Sequence, residues 1–251
     1  MIVRKTIKNI FFQSIFLGSL FFLSRCSVPV EELNGREILQ KSKKYHDPSN
    51  LWGEISFDVY IQEPRIANPV RYSIIKMNNI TGSFELQRNR DQYVSTHIVE
   101  ENGLTKVLLN NSEAIDSVLV AKYRLQPERS SIYQKFYQIM YGLPMTLNDQ
   151  TIKSIDATTV VNFKNEKSYS IQLELKEAVF SEFWKIYIRT SDYKLVGLEI
   201  VFPNEPKKGE RLYFEKDFNY KGVIIPRIRH WHEYHDDSYS GSDIIIKSIS
   251  K

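Results

Sequence analysis

From residue 54 onward, apolar and polar residues alternate along the chain. In "EISFDVYI", Ile55, Phe57, Val59 and Ile61 stand between Glu54, Ser56, Asp58 and Tyr60, which predicts a strand with one apolar and one wet face. The same period runs through "RYSIIKM", "GSFELQRN", "QYVSTHIV" and "TKVLLNN", and polar or glycine-containing breaks separate these pieces. This is the pattern of an antiparallel meander with one buried face. Strands resume in "TTVVNF", "SYSIQLEL", "FWKIYIRT", "YKLVGLEIVF", "GERLYFEKDF", "IIPRIRHWHEY" and "YSGSDIIIKSIS", with tight turns such as "RTSDYK" and "FNYKGV" between some of them.

Helical spacing interrupts this period in two places. Asn34 can cap a first helix, with Glu37 reaching back and Leu33 packing on Ile38, and Pro48 sets the limit of its far end. Ile38, Leu39, Ser42 and Tyr45 form its partly apolar face. Between Asp116 and Pro144, "SVLVAKYRL" predicts a short helix broken near Pro127, and a second begins there and ends before Gly142. In the second, Ile132, Phe136, Ile139 and Met140 form one stripe, and Tyr133, Tyr137 and Tyr141 form another beside it. So broad an apolar and aromatic face must lie on something.

The expected fold class is therefore mainly β (α+β). It is a large, strongly curved antiparallel sheet of about eleven or twelve strands, a half-open barrel with about three helices packed as a lid on the concave side. No composition break, repeat or low-complexity tract divides it, so residues 33–251 read as a single domain.

The first 26 residues differ from the rest. Arg4, Lys5 and Lys8 precede an apolar run from Ile10 to Leu23 that is interrupted by Gln13, Ser14, Gly18 and Ser19, which is the make-up of an export signal. Cys26, the only cysteine, follows and cannot form an internal disulfide. The segment resembles a bacterial lipoprotein signal whose cysteine is acylated and becomes the first mature residue. Leu23 and Ser24 fit that pattern, while Arg25 stands where a small residue is usual, and a plain secretory signal with a stray cysteine is the alternative. Residues 27–32 would then be a tether. The formal charge of +4 is carried by Arg4, Lys5, Lys8 and Arg25, so the mature chain is near neutral and has no basic footprint for nucleic acid.

Four stretches carry a further resemblance: "ILQKSKKYHDPSNLW", "KYRLQPERSSIYQKFYQIMYGLPMTLND", "YIRTSDYKLVGLEIVF" and "GVIIPRIRHWHEYHDDSYSGSDII". Together they resemble a family of bacterial (Bacteroidota-type) cell-envelope lipoproteins with no settled activity, related in fold to LolA-like lipoprotein carriers and to LppX-like proteins. The resemblance implies an open, curved sheet closed by helices over an apolar cavity, which in the better-known relatives holds acyl chains. A tethered chain, unlike a soluble carrier of the LolA type, could bind or receive a ligand but not shuttle freely.

Candidate chemistry is sparse. In "IRHWHEYHDD", strand alternation puts His230 and His232 on one face, where both could reach one zinc ion, but Glu233 falls on the opposite face and His235 falls in an Asp-rich turn. They are weak metal candidates, and a metal-dependent hydrolase built on them is one alternative function. No HExxH pair, G-x-S-x-G elbow or phosphate-cradling glycine loop occurs. The aromatic load, 15 Tyr, 14 Phe and 3 Trp, falls largely on the apolar face. Phe57, Val59, Phe136, Met140, Ile171, Leu173, Trp184, Ile186, Leu198 and Ile200 are the candidates to line a cavity or to fill a core.

The expectation is a monomeric, non-catalytic, lipid-anchored envelope protein in the outer membrane, facing the periplasm. It would need no cofactor, bind a hydrophobic ligand and meet the membrane through Cys26. The remaining alternative is a structural or adaptor lipoprotein with a filled core.

Overall fold

The computed structural model describes residues 34–156, 158–205 and 207–249. The expected signal, Cys26, the tether and Leu33 lie outside the described residues. Thirteen strands form one antiparallel sheet: β1 Ser56–Gln62, β2 Tyr72–Asn78, β3 Phe84–Arg90, β4 Tyr93–Val99, β5 Thr105–Leu109, β6 Ile152–Ile155, β7 Thr159–Phe163, β8 Glu166–Val179, β9 Ser181–Arg189, β10 Leu195–Val201, β11 Gly209–Tyr220, β12 Val223–Glu233 and β13 Tyr239–Ser248. Their spatial order is β5-β4-β3-β2-β1-β13-β12-β11-β10-β9-β8-β6, with β7 also paired to β8. The alternation along the chain foretells every one of these but β6, whose four residues are too few to show a period.

Two meanders, β1–β5 and β6–β13, meet where β1 pairs with β13. A sheet of this many twisted strands curls, and it remains open between β5 on one side and β6 and β7 on the other. The chain must pass from one edge to the other between β5 and β6. It does so through a bent helical arm, α2 Ser117–Tyr123 and α3 Glu128–Tyr141, with Arg124 in the left-handed region (φ 57) at the bend. Tyr123 and Leu125 pack with Val107 and Leu109 of β5 in a small separate cluster, while α3 lies on β3, β4 and β5.

The first helix, α1 Gly35–His46, lies against β9 and β12 and shares the main core with α3. Its capping box forms as expected: the Glu37 N–H donates to Asn34 Oδ1 at 3.1 Å, and the Asn34 N–H donates to Glu37 Oε2 at 2.9 Å. Its buried face includes His46 as well as Ile38, Leu39 and Ser42, whereas Tyr45 is only half-buried. The His46 ring is wedged between strands: Nδ1 donates to the Ile224 carbonyl at 2.7 Å, and Nε2 accepts from the Leu195 N–H at 3.0 Å. Burial lowers its pKa to about 4, so the ring is neutral. No helix among the described residues is long and apolar enough to cross a membrane.

Candidate functional site

The register of β1 to β5 grades the concave face from apolar to polar. One row across the strands reads Phe57, Met77, Phe84 and Val99, and the next reads Val59, Ile75, Leu86, His97 and Val107. The third reads Ile61, Ser73, Arg88, Ser95 and Leu109, and Glu63 lies just beyond it. One end of the hollow is therefore hydrocarbon and the other carries charge.

That charge is organised around Glu63. Its carboxylate is buried and accepts from Arg88 Nε (3.1 Å) and Nη2 (3.0 Å), Ser73 Oγ (2.5 Å), Tyr137 OH (2.9 Å) and Arg71 Nε (3.3 Å). Arg88 and Tyr137 are also buried, and the guanidinium contacts the phenol directly. Burial pushes the Glu63 carboxyl up, but Arg88, Arg71 and the Ser73 hydrogen bond outweigh it and hold the group well below the usual carboxylate range. Because Tyr137 belongs to α3, this network latches the helix to the sheet. A second tie lies two turns earlier: buried Ser130 bonds to His97 Nδ1 (3.2 Å) and to the Lys106 carbonyl (3.3 Å). Burial, followed by the charges of Arg90, Arg88 and Arg129, lowers His97 to about 3.

On the β13 side, Asp243 accepts from Arg65 (2.7 Å) and from the Trp231 indole (2.8 Å). Beside it, Arg229 is fully buried and pairs with no carboxylate among the described residues. Its guanidinium lies 4.0 Å over the Tyr141 ring and donates to the carbonyls of Pro226 (2.9 Å) and Met140 (3.4 Å). The Tyr141 hydroxyl and Arg229 Nε have no hydrogen-bond partner among the described residues. This is a costly arrangement, and it lies directly under α3.

The helix is held on its β3–β5 side and is more loosely closed on the other. There a seam runs between α3 and the β8–β9 hairpin. One end is a cavity of about 270 Å³ walled by Tyr133, Phe136, Phe180, Trp231 and several arginines. The other is a cavity of about 530 Å³ walled by Trp52, Ile139, Leu175 and Val179 under a polar rim. Across the seam, Phe136 meets Phe180 with ring centres 5.1 Å apart, and the exposed Lys135–Glu177 ion pair spans it at 2.8 Å. Phe180 sits at the hairpin tip with φ 66 and is 59% exposed, an unfavourable backbone and an unfavourable environment for a phenylalanine.

The ten cavity candidates fall into two groups. Phe57, Val59, Met140, Ile171, Leu173, Trp184, Ile186, Leu198 and Ile200 are buried together in the main core, packed by the helices. Phe136 alone lines the seam. The stripe expected on α3 is rotated: Tyr137 and Tyr141 are buried with Ile139 and Met140, while Ile132 is 57% exposed. The charge network supplies partners for the Tyr137 hydroxyl, so that tyrosine can go inside where hydropathy alone favours isoleucine.

His230 and His232 lie on the opposite, convex face from Arg229 and Trp231, and Glu233 faces away from them as the alternation requires. Each histidine has a local partner, Ser242 Oγ for His230 (2.8 Å) and the Asp237 carbonyl for His232 (2.7 Å). Among the described residues, no group of three or more His, Cys, Asp or Glu is placed to hold a metal ion. Glu63, Arg88, Asp243 and Arg229 went unnoticed in the sequence, although a signal was present. Each falls in register with an apolar face, after Phe57-Val59-Ile61, after Phe84-Leu86, before Ile245 and between Ile225 and Trp231.

No curated protein matches the chain. Among solved structures it is similar to a domain from Vibrio parahaemolyticus described as an outer membrane lipoprotein-sorting protein, at 11% identity over 84% of this chain and 89% of that one, with a TM-score of 0.47. It is similar to a LolA superfamily protein from Nitrosomonas europaea at 11% identity, 88% and 95% coverage and a TM-score of 0.45. A DUF1329 family protein from Desulfovibrio piger follows at 9% identity, 86% and 94% coverage and a TM-score of 0.40. A family model matches residues 8–241, from α1 through β12 and into the start of β13, and the chain belongs to that family, the family of unknown function DUF6503.

Proposed function

We propose that this protein is an exported, envelope-held binder of a ligand bearing an apolar chain, that it takes the chain into the seam between α3 and the β8–β9 hairpin, and that it performs no chemistry on it. The observation that carries the reading is the asymmetry of α3. Buried hydrogen bonds hold one side of the helix, and one aromatic pair and one surface ion pair close the other over two cavities. Apolar walls with a few polar groups at the rim suit an acyl chain. Beneath the helix, the packed concave face offers more hydrocarbon if α3 swings away. Anchoring through an acylated Cys26 belongs to the same proposal, and would keep the hollow near a membrane.

The test is mass spectrometry, under native conditions and after organic extraction, of protein purified without detergent. An acyl-bearing molecule should co-purify, or a medium-chain fatty acid should bind, and Ile139→Lys should reduce the occupancy. A folded protein that neither carries nor accepts such a molecule overturns the reading. That outcome would favour the second reading, a structural or adaptor protein, which draws support from the packing of nine of the ten candidate residues.

A further inference from the structure

We propose that the charged end of the seam, the cavity of about 270 Å³, binds the phosphate group of an anionic amphiphile, held by Arg71, Arg124 and Arg129, with the apolar part leaving along Phe136 and Phe180. The inference rests on the seam being a ligand site and adds the class of ligand.

The argument begins with the charges that line this cavity. Five arginines, at positions 65, 71, 88, 124 and 129, face three acids, Glu63, Glu210 and Asp243. Two of the acids are already engaged. Glu63 takes both nitrogens of Arg88 together with Ser73 and Tyr137, and has only a longer contact left for Arg71. Asp243 takes Arg65 and the Trp231 indole. The third acid is weak: burial and Glu233, its partner across the strand pair, push Glu210 up to about 7. Arg124 has no carboxylate partner among the described residues, and Arg129 has only the Gln126 side chain, at 3.2 Å. Positive charge is therefore in excess inside a partly enclosed space.

Behind the wall, Arg90 adds a further guanidinium beside Tyr133, which lines the cavity, and its buried Nε has no hydrogen-bond partner among the described residues. One bidentate guanidinium serves a carboxylate, as Arg88 does for Glu63, whereas three under-neutralised guanidiniums suit a tetrahedral oxyanion with more oxygens and up to two charges. The opposite wall is aromatic, and exposed Ile132 and Phe180 continue it outward. A free ion has no use for that wall, but an acyl chain does.

The experiment is isothermal titration of the full chain, wild type and Arg124→Ala/Arg129→Ala, with three probes: inorganic phosphate, dihexanoyl phosphatidic acid and dihexanoylglycerol, the lipids kept below their micelle concentration. Neither substituted residue hydrogen-bonds within the Glu63–Arg88–Tyr137 network, and circular dichroism confirms the variant's fold. The expected result is at least tenfold tighter binding of phosphatidic acid than of dihexanoylglycerol. The double variant should erase that difference while leaving dihexanoylglycerol unchanged, and Arg124→Lys/Arg129→Lys should restore part of it. If dihexanoylglycerol binds as well as phosphatidic acid, the headgroup site is overturned and the seam stands. If inorganic phosphate binds, loses affinity in the double variant and gains nothing from acyl chains, the arginine site holds a free oxyanion and the seam reading falls. Binding of none of the three overturns both.

Discussion

Replacing Glu63 with alanine removes the centre of the latch. The guanidinium of Arg88, 5% exposed, would keep only Ser73 and Tyr137 as hydrogen-bond partners among the described residues, and Tyr137 would lose its acceptor. Breaking a buried ion pair from one side costs about 3–5 kcal/mol, mostly for the charge left behind. Against a domain stability of about 5–15 kcal/mol, this is a large share. The triple variant Glu63→Leu/Arg88→Met/Tyr137→Phe removes the charges and the hydroxyl together, leaves Ser73 as the main unpaired group, and should recover to within about 1–2 kcal/mol of wild type. Urea unfolding followed by tryptophan fluorescence separates the two. With a slope of about 2 kcal/mol per molar urea, Glu63→Ala should lower the midpoint by about 2 M. Hydrogen exchange should show the amides of residues 128–141 opening more readily than those of β9. If Glu63→Ala stays within about 1 kcal/mol of wild type, or the triple variant is the weaker of the two, the latch described here is refuted.

Stability should fall as pH drops from 7 to 5. His46 has a folded pKa lowered to about 4, so the unfolded chain binds the extra proton first, and stability is lost as pH falls below the ordinary histidine value. At pH 5 this one ring accounts for about 2 kcal/mol, and His46→Gln should flatten the pH profile of the urea midpoint. Arg229→Met removes a buried charge that has no carboxylate and should leave the melting temperature unchanged or raised; a loss above about 2 kcal/mol would show that the carbonyl and Tyr141 contacts compensate the charge in full. Gly197→Ala places a methyl against the Phe163 ring, which stacks on Tyr187 over the convex face, and should cost about 1–3 kcal/mol in thermal unfolding.

Strand positions and faces could be read from the sequence because alternation is a local property: each apolar residue on β8 or β10 declares its side through its neighbours. The helix termini were legible for the same reason, through Asn34, Glu37, Pro127 and Gly142. The rotation of α3 was not, since hydropathy ranks Ile132 above Tyr137 and cannot know that Glu63 and Arg88, far away in sequence, wait to bond a phenol. Whether Trp184 and Leu198 line a void or fill one was equally hidden, because both outcomes need the same apolar face. The histidine cluster misled in the opposite direction. Three ligand-type residues within six positions drew attention, but strand geometry turns two outward and leaves the third in a turn.

The pairing of β1 with β13 also bears on how the molecule assembles. Val59 and Ser248 are nearly two hundred positions apart, yet they lie side by side at the junction of the two meanders. Each meander can form from neighbouring hairpins as the chain is made, but β1 keeps an open edge until the final strand arrives. Folding should therefore be slow and its last step concerted, as contacts of long sequence separation require. A chain cut before Tyr239 should yield two half-sheets, each with a sticky edge, and aggregate in place of folding.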